Sequence, residues 1–382
     1  MLSIKKVVSV AALAALGLPS LASADTANVN IYGKFDVSYD LFNTGTATNG
    51  TAGTTSARVS SNTTLVGLKG SQDLGDGLSG IWQVETTLNA GNGGSAGVGL
   101  GTRNTFAGLS STSAGTVILG RYDTPYKIST RKLDVFADGI ADNRSLLGGQ
   151  SGASAASATA SANPITFKTA STSFDGRQDQ TLAYTSPKLG DAFTAAIGYV
   201  NLNPSNNVST GLKTNIWSLA GLYDAGGVYG ALAYETHNSL NTTGGSEKAA
   251  RLGLGYTADI FAVGLVYEKT SDNLGVASAN LYGHHAAYLS GKFNVSSSNA
   301  IKAAYSNAGS TATANTGAKQ FSVGFDHSLG KASTVYALYT KLSNQSAAGY
   351  TLSNNSSVGG FETSAGAGSS PSVFAFGVKH TF

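Results

Sequence analysis

The chain has 382 residues, with 24 Lys and Arg against 21 Asp and Glu, no cysteine, 49 glycines and 6 prolines. So even a balance leaves no large basic surface for nucleic acid, and without cysteine no disulfide can stabilise the fold. Only 12% of residues are charged, against about 25% in soluble domains, and beyond residue 24 no apolar run approaches the roughly 18 residues of a membrane helix.

The first residues read as a cleaved secretory signal. Lys5 and Lys6 precede an apolar run from Val7 to Leu18, and Ala22-Ser23-Ala24 gives a small-x-small pattern before Asp25. The expected division is a signal peptide at 1–24 and one domain at 25–382, exported from the cytoplasm.

From there the hydrophobic period is two. In the segment from Val29 to Asp40, Val29, Ile31, Phe35, Val37 and Tyr39 share one face with Gly33, while Asn30, Tyr32, Lys34, Asp36, Ser38 and Asp40 share the other. The same alternation predicts strands at 28–41, 58–70, 78–90, 102–111, 115–123, 177–186, 191–200 and 213–223. It continues at 227–237, 248–258, 260–270, 281–293, 299–308, 318–328, 331–343 and 372–382. In 213–223 and 331–343 both parities carry apolar residues, and alternation leaves the facing open. The connections alternate short and long, and one, 124–176, runs to about fifty residues.

Sixteen strands, an apolar face with aromatic ends and a wet face rich in Gly, Ala and Ser predict an all-β fold. The expectation is a 16-stranded antiparallel transmembrane β-barrel with its apolar row toward lipid. Closure satisfies every backbone group inside a bilayer without a helix.

Gly75, Gly77 and Gly80 have the G-x-G-x-x-G spacing of a dinucleotide-binding turn. That turn must open a helix. Here "IWQVETTL" follows, alternating Trp82 and Val84 with Gln83 and Glu85, which is a strand. The glycines are read as a tight hairpin.

Several ordered segments resemble the general trimeric porins of the Gram-negative outer membrane, of the Neisseria and Burkholderia type. They are "NVNIYGKFD", "LVGLKGSQDLGDGLSGIWQVET", "RNTFAGLSSTSAGTVILGRYDTPY", "RQDQTLAYTSPKLGDAFTAAIGY" and "FAFGVKHTF". The resemblance covers the chain after the signal. It implies a passive outer-membrane channel for ions and small hydrophilic solutes, a homotrimer in outer-membrane lipid and lipopolysaccharide, and no cofactor. It also implies that the third extracellular loop, here 124–176, folds inward and sets its acids against basic wall residues.

On that reading the constriction residues are Lys34, Arg103 and Arg177 on the wall, with Asp134, Asp138 and Asp142 on the loop. A short helix would align the three acids, which are four residues apart. Arg121 stands where the chain leaves the wall and would tie the loop root. Arg131, Lys132 and Arg144 partly offset the acids, and weak anion selectivity is expected. Where the family often has an arginine before an "LGFKG"-like segment, this chain has Leu65, so the ladder is one rung short unless Arg58 or Lys69 substitutes.

At the C-terminus Phe376, Val378, His380 and Phe382 share a face with Phe374. In the family such an ending is read by the barrel assembly machinery through strand addition. A substrate-specific channel, a barrel hydrolase and a closed adhesin or receptor barrel are the alternatives. The five histidines form no nucleophile-and-base or metal-ligand pattern, and no plug-sized domain precedes the strands.

Overall fold

The computed structural model describes residues 28–91, 99–148, 173–202, 214–238, 245–274, 276–352 and 366–382. The expected signal peptide and residues 149–172 of the long connection lie outside the described residues. Wall strand β1 is Asn28–Asn43. Strand β2 runs Thr55–Ser61 and resumes as Leu65–Gly75; both pieces pair with β1, so they form one stave. Then come β3 (Leu78–Thr87), β4 (Thr105–Ser111) and β5 (Gly115–Asp123), and a short helix α1 (Pro125–Thr130). After it follow β6 (Arg177–Thr185), β7 (Phe193–Asn201), β8 (Asn215–Ala225), β9 (Val228–Asn238), β10 (Glu247–Thr257) and β11 (Phe261–Asp272). The last five are β12 (His285–Asn294), β13 (Asn299–Ala308), β14 (Ala318–Ser328), β15 (Ser333–Asn344) and β16 (Ser372–Thr381).

Each strand pairs antiparallel with its neighbours in sequence, and β16 pairs back on β1 from Lys34 opposite Thr381 to Asn43 opposite Ser372. The sheet is a closed barrel of sixteen staves, with no free edge. Backbone bonds continue past the last strand: Gly33 N donates to Phe382 O at 2.9 Å and Phe382 N to Gly33 O at 3.1 Å. The Phe382 ring lies over Gly33, in space that a Cβ there would occupy, and stacks near Phe35 with ring centroids 6.1 Å apart.

The rows face as alternation requires. On β1, Ile31, Phe35 and Tyr39 are exposed on the outside, while Asp36, Ser38 and Asp40 are buried inside. On β16, Phe374, Phe376 and Val378 are outward. The glycine-rich turn is a two-residue hairpin: Asp76 and Gly77 have φ of 51° and 71°, the pair of positive values a type I′ turn needs, and β3 follows it.

The two strands with ambiguous facing have a common cause. On β8, Trp217 and Leu219 point outward and Ile216, Ser218 and Ala220 inward; on β15, Tyr339 points outward and Leu338 and Leu342 inward. Their inner rows are apolar because the residues that follow β5 fold inside and pack on them: Leu133, Phe136, Ile140, Leu146 and Leu147 share one buried cluster with Tyr229, Val266, Tyr288, Leu338 and Leu342.

Closure at Gly33 gives an expected outcome. Gly33→Val places a branched side chain where the Phe382 ring sits, so the barrel should lose heat resistance, read as a lower temperature for its mobility shift in detergent electrophoresis. An unchanged shift temperature would show that the Phe382 contact does not hold the seam.

Candidate functional site

The chain leaves the wall at Asp123. Thr124 caps α1 by accepting from Lys127 N at 3.4 Å, and Pro125 occupies the first turn, where a missing N–H costs nothing. Tyr126 then crosses to the far wall: its N donates to Ser218 Oγ at 2.9 Å and its hydroxyl to Glu268 Oε2 at 2.7 Å. Arg251 lies 4.2 Å over the Tyr126 ring. It also pairs bidentately with Asp175, at 2.7 and 2.9 Å, and contacts Glu268. Glu268 accepts from Gly148 N at 2.8 Å. Arg251 and Glu268, directly opposite each other on β10 and β11, thus clamp both limbs of the loop.

Beyond α1 the loop follows the inner wall over glycines. A Cβ on Gly255 would stand 2.5 Å from Leu133 Cδ2, one on Gly264 3.1 Å from Leu133 Cβ, and one on Gly324 2.9 Å from Phe136 Cε1. Only glycine lets the loop lie this close. Tyr229 donates to Ser129 O at 2.5 Å and Ser290 Oγ to Leu133 O at 2.7 Å, so loop carbonyls are satisfied by the wall. The tip reaches the break in β2, where Thr63 Oγ1 donates to Asp138 O at 3.2 Å.

The three acids do not line a helix. Residues 134–142 form successive turns, and the acids converge on Arg131: Asp134 at 3.5 Å, Asp138 at 2.7 Å and Asp142 at 2.5 Å. Asp134 and Asp142 are fully enclosed and serve the loop's own folding. Asp134 accepts from Phe136 N, Asn143 N and the Tyr288 hydroxyl; Asp142 accepts from Asp138 N and Arg144 N. Burial and the neighbouring Asp142 push the Asp134 carboxyl up to about 6. Burial works the same way on Asp142, but Arg131 and Arg144 overcome it and hold that carboxyl well below the usual range. Asp138 keeps about a third of its side chain open. Burial there is likewise outweighed, by Arg131, Lys34 and Arg144, so it is held low and ionised.

Lys34 meets Asp138 at 3.4 Å, joining wall to loop tip. Arg103 lies in the approach to β4, with Nε 3.7 Å from Glu85, too far for a hydrogen bond. Burial and the like charge of Arg177 pull the Arg103 guanidinium down, while Glu85, Asp138 and Asp123 act to raise it. It stays charged, because arginine starts above 12. Arg177 binds Asp123 at 3.2 Å and Asn104 at 2.7 Å. Asp123 also pairs with Lys127 at 2.7 Å, whose ammonium burial pulls down to about 8. Lys34, Arg103, Arg177 and Asp138 therefore gather in one electrostatic cluster.

Arg121 departs from expectation. It stands opposite Thr105 on the outward row of β5 with Val117 and Leu119, and pairs with Asp179 at 2.5 Å. The bulge between Gly120 and Tyr122 turns the following residues, so that Asp123 rather than Arg121 faces the cluster. Leu65 stands opposite Lys34 on the inner row. Neither candidate replaces it: Arg58 is held at Asp40, 3.4 Å away and beyond the break, and Lys69 lies 5.1 Å over Tyr32, toward the short turns. Reasoning from sequence missed Arg251 and Glu268. Their inward parity on adjacent predicted strands was the available signal.

A Gram-negative porin family model matches residues 9–347. An outer membrane porin protein of Bordetella pertussis is 29% identical over 215 residues, 54% of this chain and 51% of that one, so the chain spans about half the length of this relative. Among solved structures, the anion-selective porin from Comamonas acidovorans superposes with a TM-score of 0.74 at 20% identity, over 93% of this chain and 100% of that one. The OmpT outer membrane protein of Vibrio cholerae, in its trimer form, gives 0.63 at 17% identity, over 94% and 100%.

The clamp has a measurable consequence. Arg251→Met leaves Asp175 and Glu268 buried without their cation, a loss of about 3–5 kcal/mol in pairs of this kind. The loop should detach intermittently, giving noisier single-channel current and faster entry of larger sugars into liposomes. Parental noise and sugar cut-off would show that the clamp does not hold the loop.

Proposed function

The chain belongs to the Gram-negative porin family, and from that premise we propose that it is an outer-membrane diffusion channel. It passes ions and small hydrophilic solutes without a cofactor, weakly favours anions and works as a homotrimer. Family and fold point to a channel rather than an enzyme. The Vibrio trimer supports the assembly, and the outward row Phe376, Val378, His380 and Phe382 offers the assembly machinery an aromatic strand end.

The observation that carries the selectivity is the pairing at the loop tip. Asp138, the acid open to the lumen, already has Arg131 at 2.7 Å, Arg144 at 3.4 Å and Lys34 at 3.4 Å. Around it, Lys34, Arg103, Lys127, Arg131, Arg144 and Arg177 face Glu85, Asp123, Asp134, Asp138 and Asp142. The surplus is a single positive charge. At about 10 Å one charge is worth about 0.4 kcal/mol at water's dielectric constant. A Debye length of about 8 Å at physiological salt cuts that to about 0.1 kcal/mol, an anion preference below about twofold.

The test is reversal potential in a planar bilayer under a salt gradient. Replacing Lys34, Arg103 and Arg177 together by Gln leaves Glu85, Asp123 and Asp138 undercompensated. At about 10 mM salt, with a Debye length near 30 Å, the permeability ratio should move toward cations by roughly fivefold. Retention of the parent's reversal potential would remove these residues from the constriction.

A further inference from the structure

On the short-turn side of the loop, a recess of about 280 Å³ lies between the loop and the inner wall, with Phe136 at its roof and Lys302, Lys331, Lys379, Asp36 and Asp326 around it. Its charges are unevenly matched. Lys302 pairs with Asp326 at 2.9 Å and lies 5.0 Å over the Phe136 ring. Asp36 is buried and accepts from the Tyr336 hydroxyl at 2.8 Å. That leaves Lys331, in the turn between β14 and β15, and Lys379, on the inner row of β16, with no hydrogen bond or ion pair to a described residue.

Two further observations point the same way. Lys292 stands directly opposite Lys302 on the inner rows of β12 and β13. Like charges in that relation destabilise a sheet, a cost that a bound anion would offset. Lys379 is also close enough for its charge to act on both Lys34 and Asp36. The basic wall therefore runs without a gap from the recess to the constriction.

We propose that this recess is a staging subsite for small anions of two or more negative charges, gripped by Lys331 and Lys379 and passed on to Lys34. The ammonium groups are point charges on flexible stems, suited to phosphate or carboxylate oxygens in many orientations. A multivalent anion gains from both lysines at once, whereas chloride can satisfy only one. The subsite rests on the channel reading given above.

The test uses the full channel and inorganic pyrophosphate, with chloride current as readout. Pyrophosphate added on the short-turn side should depress the chloride current in a saturable way, and addition on the long-loop side should need roughly tenfold more. Lys331→Gln with Lys379→Gln should weaken the block roughly tenfold, the loss expected for one charge-assisted contact; Lys331→Arg with Lys379→Arg should keep it. Block of equal strength from both sides, no block, or parental block in the Gln pair would overturn the subsite while chloride conduction upholds the channel. A parent chain that carries no chloride current would overturn the channel reading instead.

Discussion

A guanidinium and a carboxylate facing each other across two neighbouring strands, Arg251 and Glu268, set the shape of the lumen. Charges this deeply buried are tolerated only when paired and hydrogen-bonded, and here the partners come from the loop. Asp175 belongs to the returning limb, Tyr126 and Gly148 to the outgoing one. Without the loop the inner wall would carry an apolar strip, Leu338, Leu342 and Val266, exposed to water. Without the clamp the loop would have to hold its position by that strip alone.

Once the loop is docked, its electrostatics follow. Arg131 draws three aspartates into one knot, two of them fully enclosed, so the tip presents a single accessible carboxylate. Lys34 reaches it from β1, and Arg103 and Arg177 bring their own acids, Glu85 and Asp123. Nearly balanced charge in a wet lumen suits a passage that discriminates by size first and by sign only weakly.

The wall was legible in the sequence because strand alternation is a local property. All sixteen staves, the hairpin at Asp76-Gly77 and the seam at Phe382 follow from parity, turn residues and the C-terminal row. The break in β2 was not legible: Thr63 takes a positive φ that its residue type does not advertise, held where Asp36 and Thr64 bond across it. The loop's path was hidden for a related reason. Gly253, Gly255, Gly264 and Gly324 read as small residues of a wet face, yet they form the bed on which Thr130, Leu133 and Phe136 lie. The spacing of Asp134, Asp138 and Asp142 suggested a helix face, but Pro125 opens a helix that ends at Thr130, and the acids meet by tertiary pairing. Arg121 was misplaced because one bulge reverses parity at the loop root.

The central claim, a loop held against the inner wall, is most directly tested by a disulfide between Leu133→Cys and Gly264→Cys. The chain has no cysteine of its own, and a Cβ on Gly264 stands 3.1 Å from that of Leu133, just under the usual disulfide spacing of about 3.5–4.5 Å. The account predicts that the bond forms in the folded barrel and that oxidation leaves single-channel conductance and ion preference unchanged. Failure of the bond to form, or a change in conductance when it does, would contradict it.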